Sequence, residues 1–285
     1  MKILSWNVQW CRGIDGRVDP ERIVREAKRF ADFDVLCLQE IADNYPAPRL
    51  AGNDASDQFA TVSKLLPEFT VVSGVAVDQP AGGEGRRRFG NMILSRLPVR
   101  QAYRWLLPFP HEPGKPGMPR IAVEAVVTAP FGDVRVVTTH LEWYSIVQRS
   151  AQVEALRRIY ADGYAHARAS EVTMREEGGP FETFLRPKAT VICGDFNLEH
   201  VSELHARIVA PFEDDTPALV NAWDLLHPGK PYPATFCIYN RMGNHGQLHC
   251  DFYFASPEAA SRIEGFAVDQ QTQASDHQPI VLTLR

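Results

Sequence analysis

Short apolar runs alternate along the chain with stretches whose apolar residues recur at helical spacing. The uninterrupted apolar runs Asp34–Gln39 and Thr190–Cys193 are typical of strands that are buried on both faces. Pro20–Phe30 instead carries its apolar residues on one side of a helix. Strand and helix patterns are mixed throughout, which predicts an α/β fold with sheets in the middle and helices outside.

The same patterns predict the remaining elements. The further predicted strands are Lys2–Val8, Phe69–Val77, Asn91–Leu94, Ile121–Thr128, Val134–Thr139, Phe252–Phe254 and Pro279–Leu284. The further predicted helices are Gln58–Leu66, Ser145–Arg175 and Val201–Val209. Two segments are predicted to be irregular loops: the Gly- and Arg-rich Asp78–Gly90, and Pro108–Pro119 with its five prolines. Because no linker or shift in composition divides the chain, we expect residues 1–285 to form a single domain.

The composition narrows the class of protein only slightly. Of the 285 residues 45% are hydrophobic, as in ordinary globular proteins, and the net charge is −5. A nucleic-acid substrate would therefore need a local basic patch, since phosphate contacts dominate such binding. The chain has no signal-peptide pattern, no CxxC pair and no apolar run of about 18 residues. We expect a cytoplasmic protein without a membrane span, and we take it to be a monomer.

Polar residues that suit catalysis lie at the ends of the predicted strands. They are Asn7, Glu40, His140, Asp195, Asn197, Asp251, Asp276 and His277. Strand ends form a rim on a rigid scaffold, where catalytic groups usually lie. We therefore expect these side chains, which are far apart in sequence, to form one active site.

The residue types suit metal-assisted hydrolysis of a phosphoester. Mg²⁺ prefers oxygen ligands, and the carboxylates of Glu40 and Asp276 would supply them. Asp195 is then the candidate general base for the attacking water. Fixed donors must stabilise the charge that develops on the phosphoryl oxygens, and Asp251 is the natural partner that would hold His277 in such a role. The candidate donors are Asn7, Asn197, His140 and His277.

Seven segments, taken together and in this order, resemble the endonuclease/exonuclease/phosphatase superfamily. The segments are SWNVQW at 5–10, LQE at 38–40, GNMILSRLP at 90–98, TTHLEW at 138–143, GDFN at 194–197, CDFYFAS at 250–256 and SDHQPI at 275–280. The resemblance spans almost the whole chain and implies a four-layer α-β-β-α sandwich, in which two mixed sheets pack face to face. The implied roles are metal binding for Glu40, Asp276 and Asn7, water activation for Asp195, and contacts with water or phosphate for Asn197 and for His277, which pairs with Asp251.

Other matched positions bear on the branch of the superfamily. His140 resembles the His of the deoxyribonuclease, sphingomyelinase and inositol-phosphatase branches, whereas the abasic-site endonuclease branch carries a Tyr there. Arg120 resembles a phosphate-contacting Arg of deoxyribonuclease-type members, and Asn91 is expected to bind substrate. HLEW followed by Arg149 and Gln152 is similar to the tyrosyl-DNA phosphodiesterase branch.

The chain departs from the family pattern at Gln9, where many nuclease members have an Asp two residues after the first Asn. Because Gln9 replaces this carboxylate, the departure argues against a second metal site. The principal metal site, predicted at Glu40 and Asp276, is not affected. The strand-like positions of Trp6 and Trp143 favour packing over substrate stacking.

The sequence thus predicts a Mg²⁺-dependent hydrolase, with Mn²⁺ as a substitute ion, that cleaves a P–O bond by in-line attack of water. A nucleic-acid phosphodiester is the first substrate class. An inositol phosphate or a sphingomyelin-like phospholipid is the alternative, and a non-catalytic binding protein on the same fold is a more remote one.

Overall fold

The computed structural model describes residues 1–83, 85–168, 179–180, 182, 185–239 and 246–285. The strands are β1 (Lys2–Asn7), β2 (Val35–Asp43), β3 (Thr70–Gly82), β4 (Gly85–Ser95), β5 (Val99–Leu106), β6 (Ile121–Ala129), β7 (Gly132–His140), β8 (Thr190–Asp195), β9 (Val220–Asn221), β10 (Asp251–Ala255), β11 (Ile263–Val268) and β12 (Ile280–Leu284). The helices are α1 (Pro20–Phe30), α2 (Gln58–Leu65), α3 (Ile146–Arg168), α4 (Glu203–Val209), α5 (Ala222–Leu226) and α6 (Pro257–Ala260).

The strands form two mixed sheets of six strands each. The first has the order β11-β12-β1-β2-β4-β3, and the second has the order β5-β6-β7-β8-β10-β9. Each sheet has one parallel pair, β1 with β2 and β7 with β8, and its other named pairs are antiparallel. The two sheets therefore repeat one arrangement, with a parallel pair at the centre of each.

Adjacent residues of the central strands enter different apolar layers. In β2, Val35 and Cys37 join a cluster with residues of the second sheet, whereas Leu36 and Leu38 join a cluster with α1 and α2. A third cluster lies between the second sheet and α3 and α4. Three apolar layers between four layers of elements confirm the predicted α-β-β-α sandwich, and burial on both faces explains the uninterrupted apolar runs.

The topology brings the polar strand ends to one edge of both sheets. The carboxyl ends of β1 and β2 meet because the two strands are parallel, and the same holds for β7 and β8. The antiparallel partners β12 and β10 begin at this edge, where Asp251 lies opposite Asp195. Residues from six segments can therefore share one site.

One predicted loop and one predicted helix need correction. The segment 78–90 was expected to be an irregular loop, but its described residues continue β3 and β4 as a long hairpin. Its arginines are paired there, as in the contact of Arg86 Nε with Asp78 Oδ1 at 2.7 Å. The predicted helix Ser145–Arg175 begins at Ile146 and is described as far as Arg168, and the rest of that prediction lies outside the described residues.

The structure also contains strands that the sequence patterns did not reveal. β5 and β11 lie at the edges of the two sheets and have half-exposed burial patterns, so they lack the apolar runs that mark the central strands. Within the described residues, no helix is both long and apolar enough to cross a membrane.

Candidate active site

Asn7, at the carboxyl end of β1, joins two acidic residues of the site. Its Nδ2 donates to Glu40 Oε1 at 3.1 Å and to Asp195 Oδ2 at 2.9 Å, so one amide connects the first sheet with the second. Its Oδ1 accepts a hydrogen bond from the backbone N–H of Gln9. Both polar ends of the side chain are thus held, which fixes the relative positions of the two carboxylates.

Glu40 is aimed into the site by an irregularity of β2. Its φ is 63°, in the left-handed region that non-glycine residues rarely adopt, and the pairing of β2 with β4 shifts register between Leu38 and Ile41. Such a bulge re-aims a side chain that would otherwise follow the regular alternation of the strand. The backbone strain here lies at a residue with a predicted metal-binding role.

Asp195 ends β8 and is held at both carboxylate oxygens. Oδ2 accepts from Asn7, and Oδ1 accepts from the backbone N–H of Asn197 at 2.9 Å. Asn197 has a φ of 50°, and its Nδ2 donates to the Leu141 carbonyl oxygen at 2.8 Å. The preceding Gly194 has a φ of 132°, and a Cβ there would lie 1.9 Å from the Thr139 carbonyl oxygen, which explains the glycine of the GDFN motif.

Two histidines face Asp195 from different strands. His140 Nε2, from β7, lies 3.4 Å from Asp195 Oδ2 and 3.8 Å from Glu40 Oε1. His277 Nε2 lies 3.6 Å from Asp195 Oδ2, while His277 Nδ1 is bonded to Asp251 Oδ2 at 2.9 Å. The predicted pairing of His277 with Asp251 is therefore present.

The two imidazoles have opposite electrostatic environments. Burial lowers the pKa of His140 well below its usual range, and the charges of Arg120 and His277 lower it further. Burial also opposes the charge of His277, but Asp251, Asp195 and Asp276 outweigh it and raise the pKa to about 10. At neutral pH His140 is neutral and His277 is an imidazolium.

The carboxylates have raised pKa values, and this fits a cation site. Burial raises the pKa of Glu40 to about 7, with a further contribution from the charge of Asp276. Burial raises the pKa of Asp276 and raises that of Asp195 to about 6. Buried carboxylates that oppose one another's ionisation are oxygen donors that a divalent cation would stabilise, so the residues present fit such an ion.

Gln9 occupies the position where many nuclease members have an acid. Its Nε2 donates to Asp276 Oδ2 at 2.5 Å. Its φ of 46° begins a left-handed run that includes Trp10 and Cys11. The neutral amide thus supports a carboxylate of the site without adding negative charge.

Arg120 and Asn91 are the two further residues that were predicted to contact substrate. Arg120 Nε and Nη2 both contact Glu142 Oε2 at 3.2 Å, and Nη1 is buried without a hydrogen-bond partner among the described residues. Asn91 Nδ2 donates to the Ile121 carbonyl oxygen at 3.0 Å, and Asn91 shares a small cavity with Arg120 and His140. The structure therefore places Arg120 at the site, whereas the Asn91 amide is bound to the backbone of β6.

These groups open into a cavity of about 430 Å³. The predicted site residues that line it are Glu40, Arg120, His140, Asp195, Asn197, Asp276 and His277. Aromatic residues form much of the remaining wall: Trp10, Phe89, Trp143, Tyr144 and Phe236. We call this cavity the catalytic pocket.

The sequence patterns missed most of this aromatic wall. Trp6 is fully buried, as expected, and its Nε1 donates to the His277 carbonyl oxygen at 2.9 Å. Trp143, by contrast, lies in the loop after β7 and lines the pocket. In the sequence, its position directly after the HLE segment pointed to this place. In the structure, Arg149 Nη1 donates to its carbonyl oxygen and to that of Glu142.

A second cavity, of about 490 Å³, adjoins the first. Trp143 and Asn197 line both, so the two cavities meet beside the catalytic groups. Apolar side chains dominate its wall: Ile146, Leu198, Leu204 and Leu248. We call this cavity the adjoining pocket.

Comparison with known families agrees with this geometry. The model of the endonuclease/exonuclease/phosphatase family matches residues 4–277, and the chain belongs to that family. Its enzymes hydrolyse phosphoesters and generally use divalent metals. A comparison with curated proteins found no significant match.

Solved structures share the fold over the full length of this chain. An endonuclease/exonuclease/phosphatase from Beutenbergia cavernae has 24% identity and a TM-score of 0.67, with 100% of this chain and 71% of that one covered. D. rerio TDP2, complexed with a single-strand DNA product, has 18% identity and a TM-score of 0.65, with 100% and 98% covered. A mannosyl-6-phosphatase from Bacteroides thetaiotaomicron has 14% identity and a TM-score of 0.64, with 100% and 99% covered. Likeness at these identities establishes the fold.

Proposed function

We propose that this chain is a Mg²⁺-dependent phosphodiesterase whose residues 1–285 form one catalytic domain. The proposal rests on the groups that surround the carboxylate of Asp195. A buried carboxylate is held by Asn7 and Asn197 and faces an imidazolium, at the mouth of a pocket that fits a divalent cation. This combination serves the attack of water on a phosphoester.

Glu40 and Asp276 would hold the cation, with Asn7 positioning Glu40. When bound, such an ion polarises a phosphoryl oxygen and stabilises negative charge on the leaving oxygen. Gln9 keeps one oxygen of Asp276 engaged through its amide. Two acids, each with a neutral amide beside it from Asn7 or Gln9, support one principal ion.

Asp195 orients the attacking water and accepts its proton. Burial raises the pKa of this carboxylate to about 6, so at neutral pH the group is ionised yet more basic than an ordinary aspartate. The bonds from Asn7 and Asn197 fix its two oxygens, which sets the direction from which the water approaches.

His277 and Arg120 supply positive charge where the phosphoryl oxygens would lie. Asp251 holds the His277 ring through Nδ1, so Nε2 points toward the site. The free Nη1 of Arg120 is the remaining donor of a guanidinium that Glu142 holds in place. Fixed donors of this kind stabilise the charge that develops in the transition state.

A terminal nucleotide of a nucleic acid is the first candidate substrate. Trp10, Trp143 and Tyr144 offer aromatic faces around the catalytic groups, and bases stack on such faces with little sequence preference. The fold shared with TDP2, which was solved with a single-strand DNA product, is consistent with this class.

A small phosphoester is the second candidate, because few of the described residues that line the two pockets are basic. Arg86 contacts Asp78 and Arg88 contacts Asp43 of β2, so these two arginines of the hairpin already have acidic partners. The fold shared with the mannosyl-6-phosphatase is consistent with this class.

The test is hydrolysis by the wild type and by Asp195→Asn, with Mg²⁺ and with a chelator. The substrates are single- and double-stranded DNA, an abasic duplex, a 5′-phosphotyrosyl oligonucleotide, RNA, inositol phosphates, mannose 6-phosphate and sphingomyelin. We expect Mg²⁺-dependent cleavage of a nucleic-acid substrate that Asp195→Asn lowers by about 100-fold or more.

Preference for a small phosphoester would replace the first candidate by the second. Equal rates for wild type and Asp195→Asn on the best substrate would remove Asp195 from the role of base.

A further inference from the structure

A buried cysteine lies among the catalytic groups but has no part in the proposed reaction. Cys250 precedes Asp251 at the start of β10. Its Sγ, a carboxylate oxygen of Asp195 and a ring nitrogen of His277 all lie within 4.8 Å of one another. Sulfur, nitrogen and oxygen donors in one cluster are typical ligands of Zn²⁺, whereas Mg²⁺ prefers oxygen donors alone.

The orientation of His277 suits coordination. Its Nδ1 is engaged by Asp251 Oδ2, so Nε2, which faces Asp195, is the nitrogen available to an ion. A carboxylate that holds the other nitrogen of a ligating histidine is the usual support of a zinc ligand. Asp251 Oδ1 is also buried and has no hydrogen-bond partner in the described part of the chain, which adds unsatisfied negative charge beside the cluster.

The cluster is reachable from two sides. Asp195 and His277 line the catalytic pocket, and Cys250 lines the adjoining pocket. Because Asn197 borders both cavities, the residues of the cluster line two cavities that adjoin each other.

We propose that Asp195, Cys250 and His277 form a binding site for a thiophilic divalent cation, Zn²⁺ in particular, whose occupation stops hydrolysis. On binding, the thiol proton of Cys250 and the Nε2 proton of His277 pass to solvent, and both atoms bond to the ion. The bound ion removes Asp195 from its contact with water and His277 from its contact with phosphate. Zinc binding stands independently, whereas the inhibition rests on the proposed function.

The deciding experiment measures metal binding to the whole chain without turnover. Metal-free protein is titrated with Co²⁺, whose bond to a thiolate gives a charge-transfer band in the near ultraviolet, and with Zn²⁺ against a chromogenic chelator. We expect the band in the wild type and its loss in Cys250→Ser, together with a Zn²⁺ affinity lowered by about 100-fold.

Cys237→Ser is the matched control. Cys237 is buried in the same small apolar cluster as Cys250 but lies outside the three-ligand group. This variant should keep both the band and the affinity. Cys250→Ala is a second test of the ligand, and circular dichroism melting verifies that each variant is folded. A wild type without the band, or a folded Cys250 variant with unchanged Zn²⁺ affinity, would overturn the proposal.

A second arm follows hydrolysis at saturating Mg²⁺. Added Zn²⁺ should inhibit the wild type and Cys237→Ser, whereas Cys250→Ser should resist it. Equal inhibition of all three would refute the inhibitory role even where Zn²⁺ binds. Absence of turnover in zinc-free wild type would count against the proposed function, and the Co²⁺ band would still decide the zinc site.

Discussion

At the scale of single residues, the site depends on side chains that hold two partners at once. Asn7 donates to acids that lie 33 and 188 positions away in the chain. Arg120 contacts Glu142 with two nitrogens and keeps a third beside the pocket. Each connects the catalytic chemistry to the folded structure, so its substitution affects both.

Arg120 allows these two effects to be separated. Arg120→Lys keeps a cation near the buried Glu142 but loses the fork of donors, so we expect kcat/KM to fall by about 100-fold with little loss of stability. Arg120→Met also leaves Glu142 unpaired, and should cost about 3–5 kcal/mol of unfolding free energy. Steady-state kinetics and urea unfolding measure the two effects. Full activity of Arg120→Lys would refute the phosphate-contacting role.

Glu40 links metal binding with the pH dependence of stability. Because burial raises its pKa to about 7, the metal-free fold favours the protonated form and loses stability as pH rises from the ordinary value of 4.5 through 7. A bound divalent cation favours the ionised form. We therefore expect the Mg²⁺-induced rise in Tm to be larger at about pH 7.5 than at about pH 5.5.

Glu40→Gln is the control for this prediction, since its amide oxygen can still accept from Asn7. The variant should show a small Tm response to Mg²⁺ that changes little with pH. A wild-type response that is equal at both pH values would show that Glu40 does not hold the ion.

At the scale of elements, six segments at one edge of the two sheets supply the site, and local backbone irregularities aim the side chains. Glu40 and Asn197 have φ values of 63° and 50°, and Gly194 has one of 132°. The motif glycine lets β8 approach β7 while Asp195 turns into the pocket.

Gly194→Ala tests this close approach. A Cβ would meet the Thr139 carbonyl oxygen at 1.9 Å, so we expect a loss of about 3–5 kcal/mol in the free energy of unfolding. Gly132→Ala is the matched control, because its φ is 118° and a Cβ there would meet nothing within 4 Å. Its cost should be about 1–2 kcal/mol, from backbone strain alone. Equal losses in denaturant unfolding would mean that the contact with Thr139 is relieved by a small shift.

The sequence predicted the elements and residues whose environment is encoded locally. Asp195 and His140 follow apolar runs that are typical of central strands. Their position at the shared edge of the sheets could therefore be predicted from the sequence. The segment 78–90 was predicted to be a loop because it is rich in glycine and arginine. In the structure, pairing between β3 and β4 and the ion pairs of Arg86 and Arg88 stabilise strands there. The role of Trp143 depends on loops that fold against it, which periodicity does not reveal.

At the scale of the whole molecule, the net charge of −5 and the distribution of its cations shape substrate choice. Among the described residues that line the two pockets, the cationic groups are Arg120, Arg149 and His277. Glu199 and Glu203 line the adjoining pocket, so a long polyanion meets repulsion there. If the substrate is a nucleic acid, as proposed, we expect this balance of charge to favour the end of a nucleic-acid strand over its interior.

Salt dependence tests how many phosphates a nucleic-acid substrate presents to the protein. Three cationic contacts to a single strand predict that log(kcat/KM) falls with log of the salt concentration with a slope of about −2. The double variant Arg86→Ala/Arg88→Ala should leave the slope unchanged, because Arg86 is paired with Asp78 and Arg88 with Asp43 of β2. A slope steeper than about −4 that this variant flattens would mean that the hairpin releases its arginines to bind the strand, and the site would then extend well beyond the two pockets.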